Sequence, residues 1–204
     1  EKATMQSMQA LQQRHFAAAS RIYDDDQRIN EKRYAIEHEC IILIATQQPM
    51  ARDVRFLAAI LEIITELERI GDYAKGICKI TLLLSDEPIN PSTLHVLQEM
   101  AELSTSMLRR SLDAFLKYDV AVARSIPHED DKVDELYNQL YRNLIDQMMA
   151  DPSMVDRASL LMWASHNLER MADRVINICE RIVYVSTGEM KELDSSADIK
   201  SILE

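Results

Sequence analysis

One twelve-residue phrase occurs twice in the sequence, and this repetition limits the chain to an architecture of two matching halves. LERIGDYAKGIC begins at Leu67 and LERMADRVINIC begins at Leu168, 101 residues later. Each copy carries a glutamate followed four residues on by an aspartate, and residues at that spacing share one face of an α-helix. The repeat therefore predicts two long helices that each present a pair of acids on one side.

The rest of the chain is also expected to be helical. Apolar residues recur at helical spacing, strand-like alternation is missing, and the sequence has only 3 glycines and 5 prolines. We expect six helices, and the fourth is a candidate for an interruption near Tyr118. Their approximate bounds are residues 3–22, 27–46, 51–84, 93–124, 129–149 and 155–187.

Breaks in the helical pattern divide the chain into two units. The acidic run at residues 24–26 interrupts the first helix and is expected to cap the second, and Pro49 stops the second helix. The segment SDEPINPS holds two prolines and marks the boundary between the halves. We therefore predict an all-α fold of two tandem three-helix bundles. The units are residues 1–84, a linker at 85–92, residues 93–187 and a polar tail at 188–204.

Composition excludes several classes of function. The net charge of −11 argues against a nucleic-acid partner, and the three glycines cannot form a phosphate-binding loop. The three cysteines are far apart and form no CxxC motif, which favours a reducing cytoplasm and gives no support for nucleophilic catalysis. No apolar run approaches the ~18 residues of a membrane span. These features predict a cytoplasmic protein that is not an enzyme.

The acid pairs are candidates for a cation site. Beside Glu68 with Asp72 and Glu169 with Asp173, the middle helix of the second half carries Asp130 and Asp134. The corresponding positions of the first half are Asp26 and Asn30. If the middle and last helices of each half face each other, three or four oxygen-bearing side chains converge, which suits hard cations such as Mg²⁺, Mn²⁺, Ca²⁺ or iron.

Ordinary structural roles compete with this interpretation. Arg69 and Arg170 each precede their aspartate by three residues, so surface ion pairs are an alternative. Acids at helix N-termini are also favourable without any ligand. Asp134 has no Lys or Arg three or four residues away, which favours the cation site.

Two other functions share this residue chemistry. A carboxylate-bridged metal-dependent enzyme in a helical bundle would use Glu-x-x-His motifs, and no glutamate here has a histidine three residues later. His166 lies three residues before Glu169 and is a candidate neighbour of a site there. A metal-buffering helical protein is the second alternative.

Longer phrases resemble a known family. QQPMARDVRFLAAILEIITELERIGDYAKGI and LERMADRVINICERIVYVSTGE are similar to the PhoU family of phosphate transport system regulatory proteins, over residues 18–189. The resemblance implies two three-helix bundles with metal clusters at the paired acids. The matching positions are Asp26, Asn30, Glu68, Asp72, Asp130, Asp134, Glu169 and Asp173. Asn30 departs from a strict acid pair, and the identity of the metal (iron, Mn, Mg, Ca or Zn) stays open.

The resemblance also implies a role and partners. Members of the family are similar to adaptors that link a phosphate ABC transporter to a sensor histidine kinase. They act as negative regulators of the phosphate-starvation response and so serve phosphate homeostasis. The resemblance further implies a cytoplasmic homodimer that associates with the membrane only peripherally, through its partners.

Overall fold

The computed structural model describes residues 1–84 and 88–193, and this part of the chain is helical without any strand. It contains eight α-helices and a short 3-10 turn at Pro152–Met154. The helices are α1 (Lys2–Gln13), α2 (Phe16–Asp25), α3 (Gln27–Gln47), α4 (Arg52–Leu83), α5 (Pro91–Lys117), α6 (Val120–Ser125), α7 (Pro127–Ala150) and α8 (Val155–Thr187). The predicted all-α fold of two three-helix units is confirmed.

Eight helices occur where six are predicted because the first helix of each half breaks at a corresponding place. Arg14 is the C-cap of α1 and Tyr118 is the C-cap of α5, and both residues have left-handed backbone angles, with φ of 54° and 56°. The amide of the residue that follows each cap donates a hydrogen bond to a carbonyl in the last turn of the helix. His15 N donates to Ala10 O and Asp119 N donates to Ala114 O, at 2.9 Å in both. This is the hydrogen-bond pattern of a Schellman C-cap. The break near Tyr118 is confirmed, whereas its counterpart at Arg14 was not predicted.

The two longest helices, α4 and α8, pack along each other at the centre of the molecule. Side chains early in α4 meet side chains late in α8, as in the ion pair of Glu62 with Arg181 at 2.9 Å. Farther along α4, Gly76 lies against Asn167, near the middle of α8. The two helices are therefore antiparallel. One continuous core of buried side chains runs through both halves, so the repeats share their interior.

The middle helices of the two halves pack differently. α7 contacts both α5 and α8 and buries a regular apolar stripe, comprising Val133, Leu136, Leu140 and Leu144. α3 packs mainly on α4, and Cys40 is the residue of α3 that is buried. Four successive apolar residues near the end of α3 are each at least 40% exposed: Ile41, Ile42, Leu43 and Ile44. The middle helix of the second half is consequently the better packed of the two middle helices.

The predicted linker at 85–92 and tail at 188–204 are described only in part. Residues 85–87 and 194–204 lie outside the described residues. In the rest of the linker, Asn90 caps α5 by accepting a hydrogen bond from the Ser92 amide at 3.0 Å. Gly188 ends α8 with a φ of 79°. The exact boundaries of the two units stay a prediction. In the described ranges, no helix is both long and apolar enough to cross a bilayer.

Candidate functional site

The acids of the second half gather where α7 begins beside the middle of α8. Asp130 lies in the first turn of α7, where Pro127 starts the helix and acidic residues favour its positive end. Val133, three residues later, is fully buried in the core that α8 shares, and Asp130 is only 6% exposed. Burial, followed by the charges of Asp134 and Asp173, raises the pKa of Asp130 to about 8.

Glu169 of α8 belongs to the same cluster. Burial and then the neighbouring charge of Asp173 raise the pKa of Glu169 to about 7. Its Oε2 lies 3.2 Å from Nδ1 of His166, which places that histidine at the edge of the cluster, as the spacing suggested. Arg170 forms an ion pair with Asp173. The structure thus brings together all four predicted acids of this half, together with one surface ion pair of the predicted kind.

Two carboxylate oxygens of this cluster are buried without a hydrogen-bond partner. They are Oδ1 of Asp130 and Oε2 of Glu169, whose 3.2 Å contact with Nδ1 of His166 lacks hydrogen-bond geometry. A buried acceptor that receives no hydrogen bond has lost its hydration without compensation. An oxygen in this state is well suited to ligate a cation, which would also remove the repulsion within the cluster.

The acids of the first half are arranged differently. Asp26 lies between α2 and α3 and is 4% exposed, and its Oδ2 accepts a hydrogen bond of 2.8 Å from Nζ of Lys75 on α4. This bond, more than any other interaction, raises the pKa of Lys75 and keeps it protonated. Asp26 makes no side-chain capping bond to α3, so the predicted capping role is wrong for this residue. Its carboxylate instead turns inward to the lysine.

The remaining predicted residues of the first half are spread around this ion pair. Asp72 is exposed, but its carboxyl is partly shielded from water. This shielding, followed by the charge of Asp26, raises the pKa of Asp72. Oε1 of Glu68 lies 3.6 Å from Nη1 of Arg33, which is on α3. Asn30 is half-buried on α3, one turn after Asp26. Each of the three predicted acids of this half therefore has a lysine or an arginine nearby.

One predicted surface pair is absent from the first half. Arg69 binds Glu66 at 3.2 Å, whereas its counterpart Arg170 binds Asp173 as the spacing suggested.

The two halves differ in how well they fit a metal ion. Among the described residues, no three His, Cys, Asp or Glu side chains form a ready-made metal centre. The second half nevertheless supplies an all-oxygen donor set that includes the buried, unpartnered Oδ1 of Asp130, and hard cations prefer oxygen ligands. In the first half, the ammonium group of Lys75 lies 2.8 Å from Oδ2 of Asp26, and Oδ1 of Asp26 is buried without a hydrogen-bond partner.

Sequence reasoning missed Lys75 and Arg33. Both were detectable from the repeat, because Lys75 corresponds to Ile176 and Arg33 corresponds to Tyr137. A cation that appears in one copy of an acidic motif, where the other copy has an uncharged residue, indicates a difference between the two sites.

The buried cysteines of the long helices are not nucleophiles. Burial raises the pKa of Cys78 to about 11. Burial is also the largest cause that raises the pKa of Cys179, to about 12. Neither thiol is appreciably ionised near neutral pH, and the thiolate is the reactive form.

Comparison with known proteins connects both halves to one family. The family model described as the PhoU domain matches residues 1–81 and 97–182. A phosphate-specific transport system accessory protein PhoU homolog of Streptococcus pneumoniae is 36% identical over 185 residues, covering 91% of this chain and 85% of that protein. The homolog of Rhizobium meliloti is 30% identical over 198 residues, covering 97% of this chain and 84% of that protein.

Solved structures agree with this assignment. The crystal structure of the phosphate transport system regulatory protein PhoU from Streptococcus pneumoniae superposes with a TM-score of 0.86 at 33% identity, covering 93% of this chain and 89% of that one. PhoU from Pseudomonas aeruginosa gives a TM-score of 0.86 at 30% identity, covering 92% of this chain and 90% of that one. Because the family model and these relatives extend over both halves, the chain belongs to the PhoU family.

Proposed function

We propose that the chain is a regulator of phosphate transport, an adaptor between a phosphate ABC transporter and its sensor histidine kinase. In this role it keeps the phosphate-starvation response off when phosphate is ample. The observation that carries the proposal is the similarity over both halves to proteins named as accessory or regulatory components of phosphate transport. The adaptor would work in the cytoplasm and reach the membrane through its partners.

A binding role without catalysis suits the side chains that the structure describes. The unreactive thiols of Cys78 and Cys179 offer no nucleophile. The 21-residue helix α3, which buries one residue, offers instead an extended face for contact with other proteins.

We further propose that the acid cluster of the second half holds a divalent or trivalent cation. Asp130, Asp134, Glu169 and Asp173 would be the ligands, and the cation would stabilise the start of α7 against α8. Their donor atoms are all oxygens, which favours Mg²⁺, Mn²⁺, Ca²⁺ or iron over Zn²⁺. The unpartnered, buried Oδ1 of Asp130 supports this assignment.

We also propose that the chain forms a homodimer, with α3 in the interface. The exposed residues Ile41 to Ile44 occupy four successive positions and therefore point to all sides of the helix. A stretch of helix that is apolar on all sides, as residues 41–44 are, is normally covered by other protein. Light scattering should give twice the chain mass, and Ile42→Glu should give the monomer mass. Tyr141→Glu, a similarly exposed site on α7, is the control and should remain dimeric.

Deletion of the gene tests the adaptor role. A phosphate-starvation reporter followed in phosphate-rich medium should become active in the deletion strain, and the wild-type gene should silence it again. A reporter that stays silent in the deletion strain contradicts the role. If purified protein still binds a cation in that case, the metal-buffering alternative becomes the better one.

Elemental analysis tests the cation site in protein purified without chelator. The variant Glu169→Ala with Asp173→Ala should lose its bound metal. The control Glu102→Ala with Glu135→Ala removes two exposed acids elsewhere and should keep it. Equal metal content in both variants contradicts the ligand assignment.

A further inference from the structure

The two acid motifs are copies of one sequence pattern, yet their surroundings differ in charge. Around Asp26, Glu68 and Asp72 the chain supplies two cations of its own, Lys75 and Arg33. At the corresponding positions the second half has Ile176 and Tyr137, which carry no charge. The second half also has Asp134 where the first half has the neutral Asn30. Although Arg170 pairs with Asp173 in the second half, the buried Asp130 there has an isoleucine at the position that corresponds to Lys75.

Lys75 occupies the place where a cation would bind in the first half. Its ammonium is 2.8 Å from Oδ2 of Asp26, is attracted by Asp72 and lies 5.0 Å from the ring centroid of Tyr23. Oδ1 of Asp26 is buried without a hydrogen-bond partner, but a divalent ion bound to it would lie next to this ammonium on the same carboxylate, where like charges repel strongly in a partly buried site. To displace the lysine, the ion would also have to replace its hydrogen bond and its cation–π contact.

We infer that the first half uses Lys75, assisted by Arg33, as a built-in counter-cation and takes no metal ion, so that cation binding is confined to the second half. The inference rests on the proposed cation site of the second half. It departs from what family resemblance implies for Asp26, Asn30, Glu68 and Asp72, because the resemblance treats both motifs as metal sites. The ammonium does permanently in one half what an exchangeable ion does in the other.

Selective neutralisation of each half tests this difference. The full chain is stripped with chelator and titrated with Mn²⁺ by calorimetry. Glu68→Gln with Asp72→Asn should leave the wild-type stoichiometry unchanged, whereas Glu169→Gln with Asp173→Asn should abolish binding. A stoichiometry that falls by half when the first-half acids are neutralised overturns the inference.

Exchange of the distinguishing residues is the converse test. Lys75→Ile with Asn30→Asp gives the first half the residues of the second, and this variant should bind twice as much Mn²⁺ as the wild type. Ile176→Lys should weaken Mn²⁺ binding by at least about tenfold, because the ammonium competes for the same oxygens. Circular dichroism establishes that each variant is folded. A folded Lys75→Ile, Asn30→Asp variant with wild-type stoichiometry overturns the role of Lys75.

A measurement without metal separates failure of the inference from failure of the proposed cation site. If the wild type binds no Mn²⁺ at all, the proposed cation site of the second half is wrong. The role of Lys75 is then tested by the stability of protein treated with chelator. Lys75→Ile should then raise the equilibrium constant of unfolding at least about tenfold, because the carboxylate of Asp26 stays buried without a counter-cation. Asp26→Asn combined with Lys75→Ile should restore most of this loss. A neutral effect of Lys75→Ile overturns the inference.

Discussion

Arg174 of α8 places Nη1 3.5 Å from Oε2 of Glu66 on α4, and both side chains are only 13% exposed. Oε1 of Glu66 also contacts Arg69, at 3.2 Å. One glutamate thus holds two arginines where the halves of the molecule meet. Because charges in such a place are poorly hydrated, each depends on its partner.

Glu66→Ala should therefore lower the free energy of unfolding by about 2 kcal/mol, since it leaves Arg174 partly buried without this partner. Urea denaturation monitored by circular dichroism measures the change. The control is Asp25→Ala, which removes a partner of Arg28 from an ion pair whose side chains are 67% and 75% exposed. The control should change stability by less than about 0.5 kcal/mol. Equal effects of the two substitutions would contradict the importance of the contact between the halves.

Gly71 gives a second prediction, because α3 passes very close to it. A Cβ at this position would lie 2.9 Å from Cδ1 of Ile29 and 3.4 Å from Oδ1 of Asp26. Gly71→Ala should be nearly neutral, within about 1 kcal/mol, because the end of Ile29 can move and alanine favours helix. Gly71→Val adds two more carbons to the same space and should cost about 2 kcal/mol or more.

The second half supplies the comparison for Gly71. Its corresponding residue is Ala172, which is fully buried. Ala172→Gly should cost about 1 kcal/mol through lost helix propensity and lost contacts. Thermal or urea unfolding of the three variants tests the set. A stable Gly71→Val variant would show that α3 is not held against α4 at this point.

Structural features of this protein could be predicted from the sequence where they depend on nearby residues, and not where they depend on residues remote in the sequence. Prolines, acid runs and 3.6-residue periodicity act locally, so the long helices and the division into halves were predictable. The break at Arg14 was not, because a left-handed C-cap usually shows itself by a glycine and this one has none. The inward turn of Asp26 was also missed, because it depends on Lys75, which is remote in sequence and adjacent only in the fold.

The candidate site shows the same limit. The i, i+4 spacing identified the acids of both halves, and Asp130 does lie beside Glu169 and Asp173. Spacing along one helix does not reveal which side chains arrive from the next helix. Comparison of the two copies reveals that Lys75 corresponds to Ile176, whereas only packing shows that Lys75 contacts the buried carboxylate of Asp26.

Thiol reactivity gives a third prediction. The pKa of Cys78 is raised to about 11 and that of Cys179 to about 12, and both residues are fully buried. Peptide mass spectrometry after a short treatment with iodoacetamide at pH 7.5 should find both unmodified in folded protein. Both should be alkylated in urea, which serves as the control for reagent activity. Rapid modification of either cysteine in folded protein would show that α4 or α8 opens locally.

The last prediction concerns pH and metal-free protein. The pKa of the Asp130 carboxyl is raised from 3.8 to about 8, mainly by burial. A carboxyl with a raised folded-state pKa is neutral in both states at low pH. As pH rises above the unfolded value, it ionises more readily in the unfolded chain, so the folded state loses stability until pH exceeds the folded value. Metal-free wild type should consequently become less stable between about pH 4 and pH 8.

Asp130→Asn should remove this part of the pH dependence, because its amide does not ionise. In urea unfolding with chelator, we expect the variant to be more stable than the wild type by about 2 kcal/mol or more at pH 8.5, and within about 0.5 kcal/mol of it at pH 4. Asp146→Asn, an exposed site on the same helix, is the matched control and should follow the wild type at both pH values. Added Mn²⁺ should reverse the order at pH 8.5, since it stabilises only the protein that keeps the carboxylate. A variant that is less stable than metal-free wild type at pH 8.5 would show that Asp130 is held by compensating contacts and not strained by its neighbours.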